Sequence, residues 1–372
     1  YIQEVEHKPG YLPNDEVYSF DASYTDQTLE LLAFSEEISN QPTITEFTKV
    51  DLTGGQEIEG AKMQILDQEG KVVEEWVSKK EAHVVYALAP GEYILHEEQA
   101  PTEQGYVRAE DVKFVVEETG DVQKVKMEDD HTKVSISKTD ITDGKEIEGA
   151  KLQVLDQDGE VVESWTTGEE HLIEYIPVGT YTLHEEAAID GYIVANDVEF
   201  TVEETGEIQK VKMEDERAMG QLVIVKTDAD SKAALEGVEF VLLEKETGEE
   251  VGRLKTGKDG KAVSELLPIG TYENGVFKEP ITYVLKETVT LKGYEKTEEE
   301  WEIVFTYQND KTPVIEVVKE IQNKKIPETP GTVKPGPKTG DDTNWFLPLL
   351  ALGVSAGMVA GLLYYRKRHK KA

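Results

Sequence analysis

KVSISKTD, residues 133–140, sets Val134 and Ile136 at every second position and carries the same series on to Lys138. Period two marks a strand, because successive strand side chains point to opposite faces. Further short runs follow: Leu152 and Val154, Val161 to Trp165, Tyr181 with Leu183 and Glu185, Phe200 and Val202, then Val211, Met213 and Asp215. Asp158-Gly159 and Gly179 supply turns between them. Some seven strands in so short a span predict an all-β module, an antiparallel sandwich.

The module recurs. KVDLTGGQEIEG (49–60) returns as KTDITDGKEIEG (138–149), and FVVEETGDVQKVKMED (114–129) returns as FTVEETGEIQKVKMED (200–215). A period this long is itself domain-sized, so the chain reads as a tandem array and not as a solenoid of small repeats. Complete modules are expected at 43–130 and 131–216, with a diverged one at 217–325 that carries an insertion around Tyr272 to Pro280. Residues 1–42 read as the C-terminal part of a truncated module, with a strand ending at Asn40. A Pro/Gly/Thr-rich linker covers 326–340. Tyr1 is not an initiator Met and no signal peptide is visible, so the N-terminus of the protein is expected upstream.

Residues 341–372 hold an uncharged apolar run, WFLPLLALGVSAGMVAGLLYY (345–365), followed by RKRHKK (366–371). As a helix the run is about 31 Å long, close to bilayer thickness, and a basic flank marks the cytoplasmic side. One C-terminal transmembrane helix is predicted, with everything before it facing outward.

Of the 372 residues 76 are acidic and 39 basic, a net charge of -37, and none is cysteine. Nucleic-acid binding needs a basic face and is not expected. Disulfides, thiolate nucleophiles and cysteine-containing zinc sites are excluded. The histidines lack metal-ligand spacing, and no phosphate loop or nucleophile elbow is present, so neither metal nor cofactor is expected.

Alternation sends three polar residues per module inward. If Val134 and Ile136 face the core, so does Lys138; Glu185 shares the face of Tyr181 and Leu183, and Asp215 that of Val211 and Met213. The first module repeats this with Lys49, Glu97 and Asp129, the third with Lys226, Glu287 and Asn323. Burying such groups is costly unless they are paired, and charge balance alone does not explain a third polar member. Chemistry does. An apolar core favours a neutral, nucleophilic amine and a protonated glutamic acid that can polarise a carbonyl and shuttle protons. Attack on the Asp or Asn side chain then gives a Lys–Asx isopeptide bond and expels water or ammonia.

Lys in a V-x-V-x-K-x-D strand, Y-x-L-x-E followed by Gly-Tyr, and a terminal-strand Asx resemble the Cna B-type, or SpaA-like, domains of Gram-positive adhesins and pilins. The resemblance covers nearly all of residues 1–325 and implies prealbumin-like (Ig-like) sandwiches that form intramolecular isopeptide bonds spontaneously. It implies bonds from Lys49 to Asp129, Lys138 to Asp215 and Lys226 to Asn323, promoted by Glu97, Glu185 and Glu287. Glu4 and Asn40 match the same positions of the truncated copy, whose lysine would lie upstream. Pro337, Lys338, Thr339 and Gly340, then the apolar span and basic tail, are similar to a cell-wall sorting signal, with Gly336 where the family has Leu. That likeness implies sortase cleavage between Thr339 and Gly340, attachment to peptidoglycan, and membrane contact only through the span. The expected role is a rigid stalk of an extracellular, wall-anchored adhesin, with any host extracellular-matrix or cell-surface ligand bound through an upstream region. A pilin subunit and the stalk of a surface enzyme are the alternatives. No turnover active site is read, since the bond would form once per module.

Overall fold

The chain is described from a computed structural model that covers residues 1–23, 31 and 33–327. In the first complete module the strand Ile44–Asp51 lies between His83–Tyr86, antiparallel to it, and Val122–Asp129, parallel to it. The facing sheet runs in the order Val72–Val77, Lys62–Leu66, Gly91–Gln99, Val112–Val116, all antiparallel. Phe47, Met63, Ile65, Leu95, Val116 and Met127 meet between the two layers. The second module repeats the plan, with Lys133–Asp140 parallel to Ile208–Arg217, and the third does so with Met219–Asp228 parallel to Val314–Asn323.

The sandwich expected to be antiparallel is therefore mixed. Each module closes by pairing its first and last strands in parallel. Period-two patterning fixes which face a side chain takes but not which way a strand runs. Strands joined through a whole domain, and not through a hairpin, can pair in either direction.

The expected strand ending at Asn40 is absent: residues 33–41 form no strand, and residues 1–23 contribute the two-residue pair Ile2–Gln3 and Val17–Tyr18. In each complete module the last strand is held by the first, and among the described residues of 1–42 no counterpart of that first strand is found. Among the described residues no helix is long and apolar enough to cross a membrane. The predicted span 345–365 and the motif Pro337 to Gly340 lie outside them.

Successive modules abut closely. Ala218, fully buried, is the single residue between the strands Ile208–Arg217 and Met219–Asp228, and its N–H donates to the Gly191 carbonyl at 2.8 Å. Between the first two modules Thr132 donates its N–H to the Gly105 carbonyl (2.8 Å) and its hydroxyl to that of Ile176 (2.6 Å). Gly105 has φ +78°, and a Cβ there would stand 2.3 Å from the Tyr175 backbone, so only glycine fits this junction. The insertion in the third module is a hairpin, Gly270–Glu273 with Val276–Pro280. It reaches back to the second: the Tyr272 hydroxyl donates to the Gly191 carbonyl at 2.8 Å, and the Arg217 guanidinium lies 4.1 Å from the Tyr272 ring centre.

Candidate functional site

The parallel closure sets the geometry of the site. Lys49 is level with Met127, and Asp129 lies two residues further along the neighbouring strand, on the same face. Lys138 stands level with Met213, next to Asp215, and Lys226 level with Ile321, next to Asn323. Glu97, Glu185 and Glu287 come from the facing sheet, on Gly91–Gln99, Gly179–Ala187 and Thr282–Val289. All nine side chains are buried, at 4% exposure or less.

Within each cluster the lysine amine touches the Asx side-chain oxygen: Lys49 Nζ to Asp129 Oδ1, Lys138 Nζ to Asp215 Oδ1, Lys226 Nζ to Asn323 Oδ1. The glutamate is the second partner, with Nζ to Oε2 distances of 2.9 Å at Glu97, 3.0 Å at Glu185 and 3.1 Å at Glu287. A backbone N–H holds the same Oε2 in the first two modules, from Ala109 (2.7 Å) and Ala195 (2.6 Å). In the third, Glu287 Oε1 instead accepts from Asn323 Nδ2 at 2.7 Å.

Burial pushes the Asp129 and Asp215 carboxyls up to about 7, against the pull of the adjacent lysine and with the help of the nearby glutamate. Their Oδ2 atoms have no other partner, nor do Glu97 Oε1 and Glu185 Oε1. A proton shared between the two carboxyls of each pair satisfies these four oxygens. The aspartate of each pair is thereby favoured in its protonated form. This suits the chemistry, since a protonated carboxyl is a far better electrophile than a carboxylate.

Asp51, Asp140 and Asp228, two residues after each lysine, are buried beside the clusters and were given no role from the sequence. Burial pushes Asp140 up, but the Tyr192 hydroxyl (2.7 Å), the Thr142 N–H (2.7 Å) and Arg217 (2.5 Å) outweigh it and hold the carboxyl below its ordinary range. Asp51 accepts from Tyr175 and the N–H groups of Thr53 and Gly54, and Asp228 from Tyr294 and Ser231. Each module thus holds two buried aspartyl or Asx groups near one amine. The one rich in donors stays ionised, and the donor-poor one faces the lysine.

Glu4 and Asn40 also meet, Asn40 Nδ2 donating to Glu4 Oε1 at 2.7 Å, but both are partly open to solvent. The Asn14 N–H and the Asn40 amide hold Glu4 below its usual range. His96 and His184 lie on the outer face, bonded to Asp111 and Asp197. Among the described residues no group of three or more His, Cys, Asp or Glu side chains could hold a metal ion.

No curated protein matches the chain. Among solved structures it is similar to the Bacillus anthracis TIE protein, at 27% identity and a TM-score of 0.52 over 76% of this chain and 51% of that one, so it spans about half the length of that relative. It also matches BcpA, the major pilin subunit of Bacillus cereus (15% identity, 76% and 99% covered, TM-score 0.44), and a streptococcal ancillary pilin (15%, 77% and 99%, TM-score 0.31). Residues 43–131, 132–217 and 220–279 match the SpaA prealbumin-like fold domain. With more than half of its length so matched, on three mixed sandwiches of one plan, the chain belongs to the SpaA prealbumin-like domain family.

Proposed function

We propose that each complete module closes an intramolecular isopeptide bond, Lys49 to Asp129, Lys138 to Asp215 and Lys226 to Asn323, and that the array is the covalently braced stalk of a Gram-positive surface protein. The observation that carries this reading is the threefold contact of a buried amine with an Asx side-chain oxygen, a glutamate carboxylate standing 2.9–3.1 Å from the same nitrogen.

In the first module the ammonium proton passes to the Asp129 carboxylate, leaving a neutral Nζ and a protonated acid. Nζ attacks Cγ and a C–N bond forms. Glu97 takes a proton from that nitrogen and hands it to the departing hydroxyl; the C–O bond breaks, water leaves, and Glu97 is ionised again. In the third module ammonia leaves in place of water.

Sorting would follow from Pro337, Lys338, Thr339 and Gly340: a sortase would join Thr339 to peptidoglycan and fix the protein outside the cell. The Glu4–Asn40 pair reads as the acid and acceptor of a further site of the same kind. The large negative charge suits a solvated extracellular stalk.

The intact mass tests the bonds. The chain should weigh about 53 Da less than its sequence, two waters and one ammonia. Glu97→Gln, Glu185→Gln and Glu287→Gln should each restore one increment. A mass equal to the sequence mass would leave three unlinked sandwiches.

The pH dependence follows from Asp129 and Asp215. The reactive state, neutral amine with protonated aspartic acid, holds one proton fewer than the acid form in which both groups are protonated. Bond formation should therefore quicken as pH rises toward about 7, where these carboxyls titrate, and then level off, since moving the amine proton onto the carboxylate regenerates the reactive state. The Lys226–Asn323 site has no aspartate to titrate and should lack that inflection. Timed quenching of newly made chain between pH 5 and 9, with each cross-linked peptide quantified by mass, reads all three profiles at once.

A further inference from the structure

Besides its Asn323 acceptor, the third cluster differs from the other two at one residue that no strand pattern singles out. Asn323 Nδ2 carries two hydrogens. One goes to Glu287 Oε1 and the other to Thr290 Oγ1, each at 2.7 Å. Thr290 follows Glu287 by three positions, just beyond the end of Thr282–Val289. The corresponding residues after Glu97 and Glu185 are Ala100 and Ala188. A protonated aspartic acid has a single acidic hydrogen, which the glutamate alone can accept, whereas a primary amide has two donors to satisfy in a buried site. The side chain three residues after the glutamate thus differs with the acceptor: a hydroxyl where the acceptor is an amide, a methyl where it is an acid.

Building on the bond-forming reading above, we propose that Thr290 is a positioning residue that fits the third module to an asparagine acceptor. Both amide hydrogens lie in the amide plane, so bonding both fixes that plane. Oδ1 is then held toward Lys226 Nζ and Nδ2 toward Glu287, the group that must protonate it. Burial pushes the Lys226 amine down, toward the neutral nucleophile. As Nζ adds to Cγ, a proton leaves Nζ for Glu287 and passes on to Nδ2. The Cγ–Nδ2 bond then breaks and ammonia departs, with Thr290 Oγ1 holding one of its hydrogens until release. Alanine at 290 would leave one amide hydrogen unpaired and the plane free to turn.

The test is a rate measured on the full chain, made by cell-free synthesis with detergent, quenched at intervals and digested, with the Lys226–Asn323 peptide quantified by its loss of about 17 Da. The Lys138–Asp215 peptide of the same samples serves as the internal reference. Thr290→Val keeps the shape and removes the hydroxyl, and should slow closure roughly tenfold, the effect of one hydrogen bond. Thr290→Ser should close at close to the original rate. In the Asn323→Asp background, Thr290→Ala should close at least as fast as the chain that keeps Thr290. Equal rates for Thr290 and Thr290→Val overturn the proposal, as does a slowing of the same factor with and without Asn323→Asp. Absence of closure in both Asn323→Asp chains overturns it too, since a site tuned through residue 290 should accept either group. If the unsubstituted chain forms no Lys226–Asn323 bond while the reference bond appears, the bond-forming reading of this module fails instead.

Discussion

Pulled from its two ends, a chain carrying Glu185→Gln should lengthen by about 260 Å when its second module gives way, a step that the unsubstituted chain should not show. Without the bond, the 77 residues from Lys138 to Asp215 are free to extend at roughly 3.4 Å each. With it, tension entering at Lys133 runs along the first strand to Lys138, crosses to Asp215 and leaves, bypassing everything between. The parallel register makes this route short, because the amine and its acceptor lie near the far ends of two strands that run together. Glutamine keeps the shape of Glu185 but cannot shuttle the proton. Optical-tweezers extension of the two chains decides the matter; a full-length step in the unsubstituted chain would sink the mechanical role.

Glu97→Gln should lower the stability of the first module by about 4–5 kcal/mol, the chain-entropy value for freeing a loop of this length. The loop closed by Lys49 and Asp129 spans 80 residues. For a module of this size that loss corresponds to a melting temperature lower by roughly 20–30 °C. The unlinked Lys49 and Asp129 also stay behind in an apolar core, which adds to the destabilisation. Calorimetry on the full chain should show one transition moved down while those of the other modules hold. A change of only a few degrees would mean that no bond had been braced across the first and last strands.

What the sequence disclosed depended on what alternation can encode. Lys138, Glu185 and Asp215 are readable because each continues a period-two series of apolar residues, and burial follows from that series. Strand direction leaves no trace in such a pattern, so the parallel closure came only from the structure. Asp140 shares the parity of Lys138 and was open to the same reading. Its ionised state depends on donors from Tyr192 and Arg217, far away in sequence, and these no local rule supplies. Thr290 lies past the end of its strand, where alternation stops, and its role shows only once the Asn323 amide is seen beside it. The strand expected at Asn40 illustrates the converse: residues 33–41 form no strand, and a strand needs a paired neighbour to persist.

The single buried alanine between the second and third modules carries one more consequence, for survival among secreted proteases. Domain arrays are usually nicked in the exposed, flexible connections between their globular parts. Ala218 is out of reach, its amide is already engaged, and the strands on both sides start and stop within one residue of it. A protease meeting this junction finds no slack to draw into its cleft, and must wait for a neighbouring module to open.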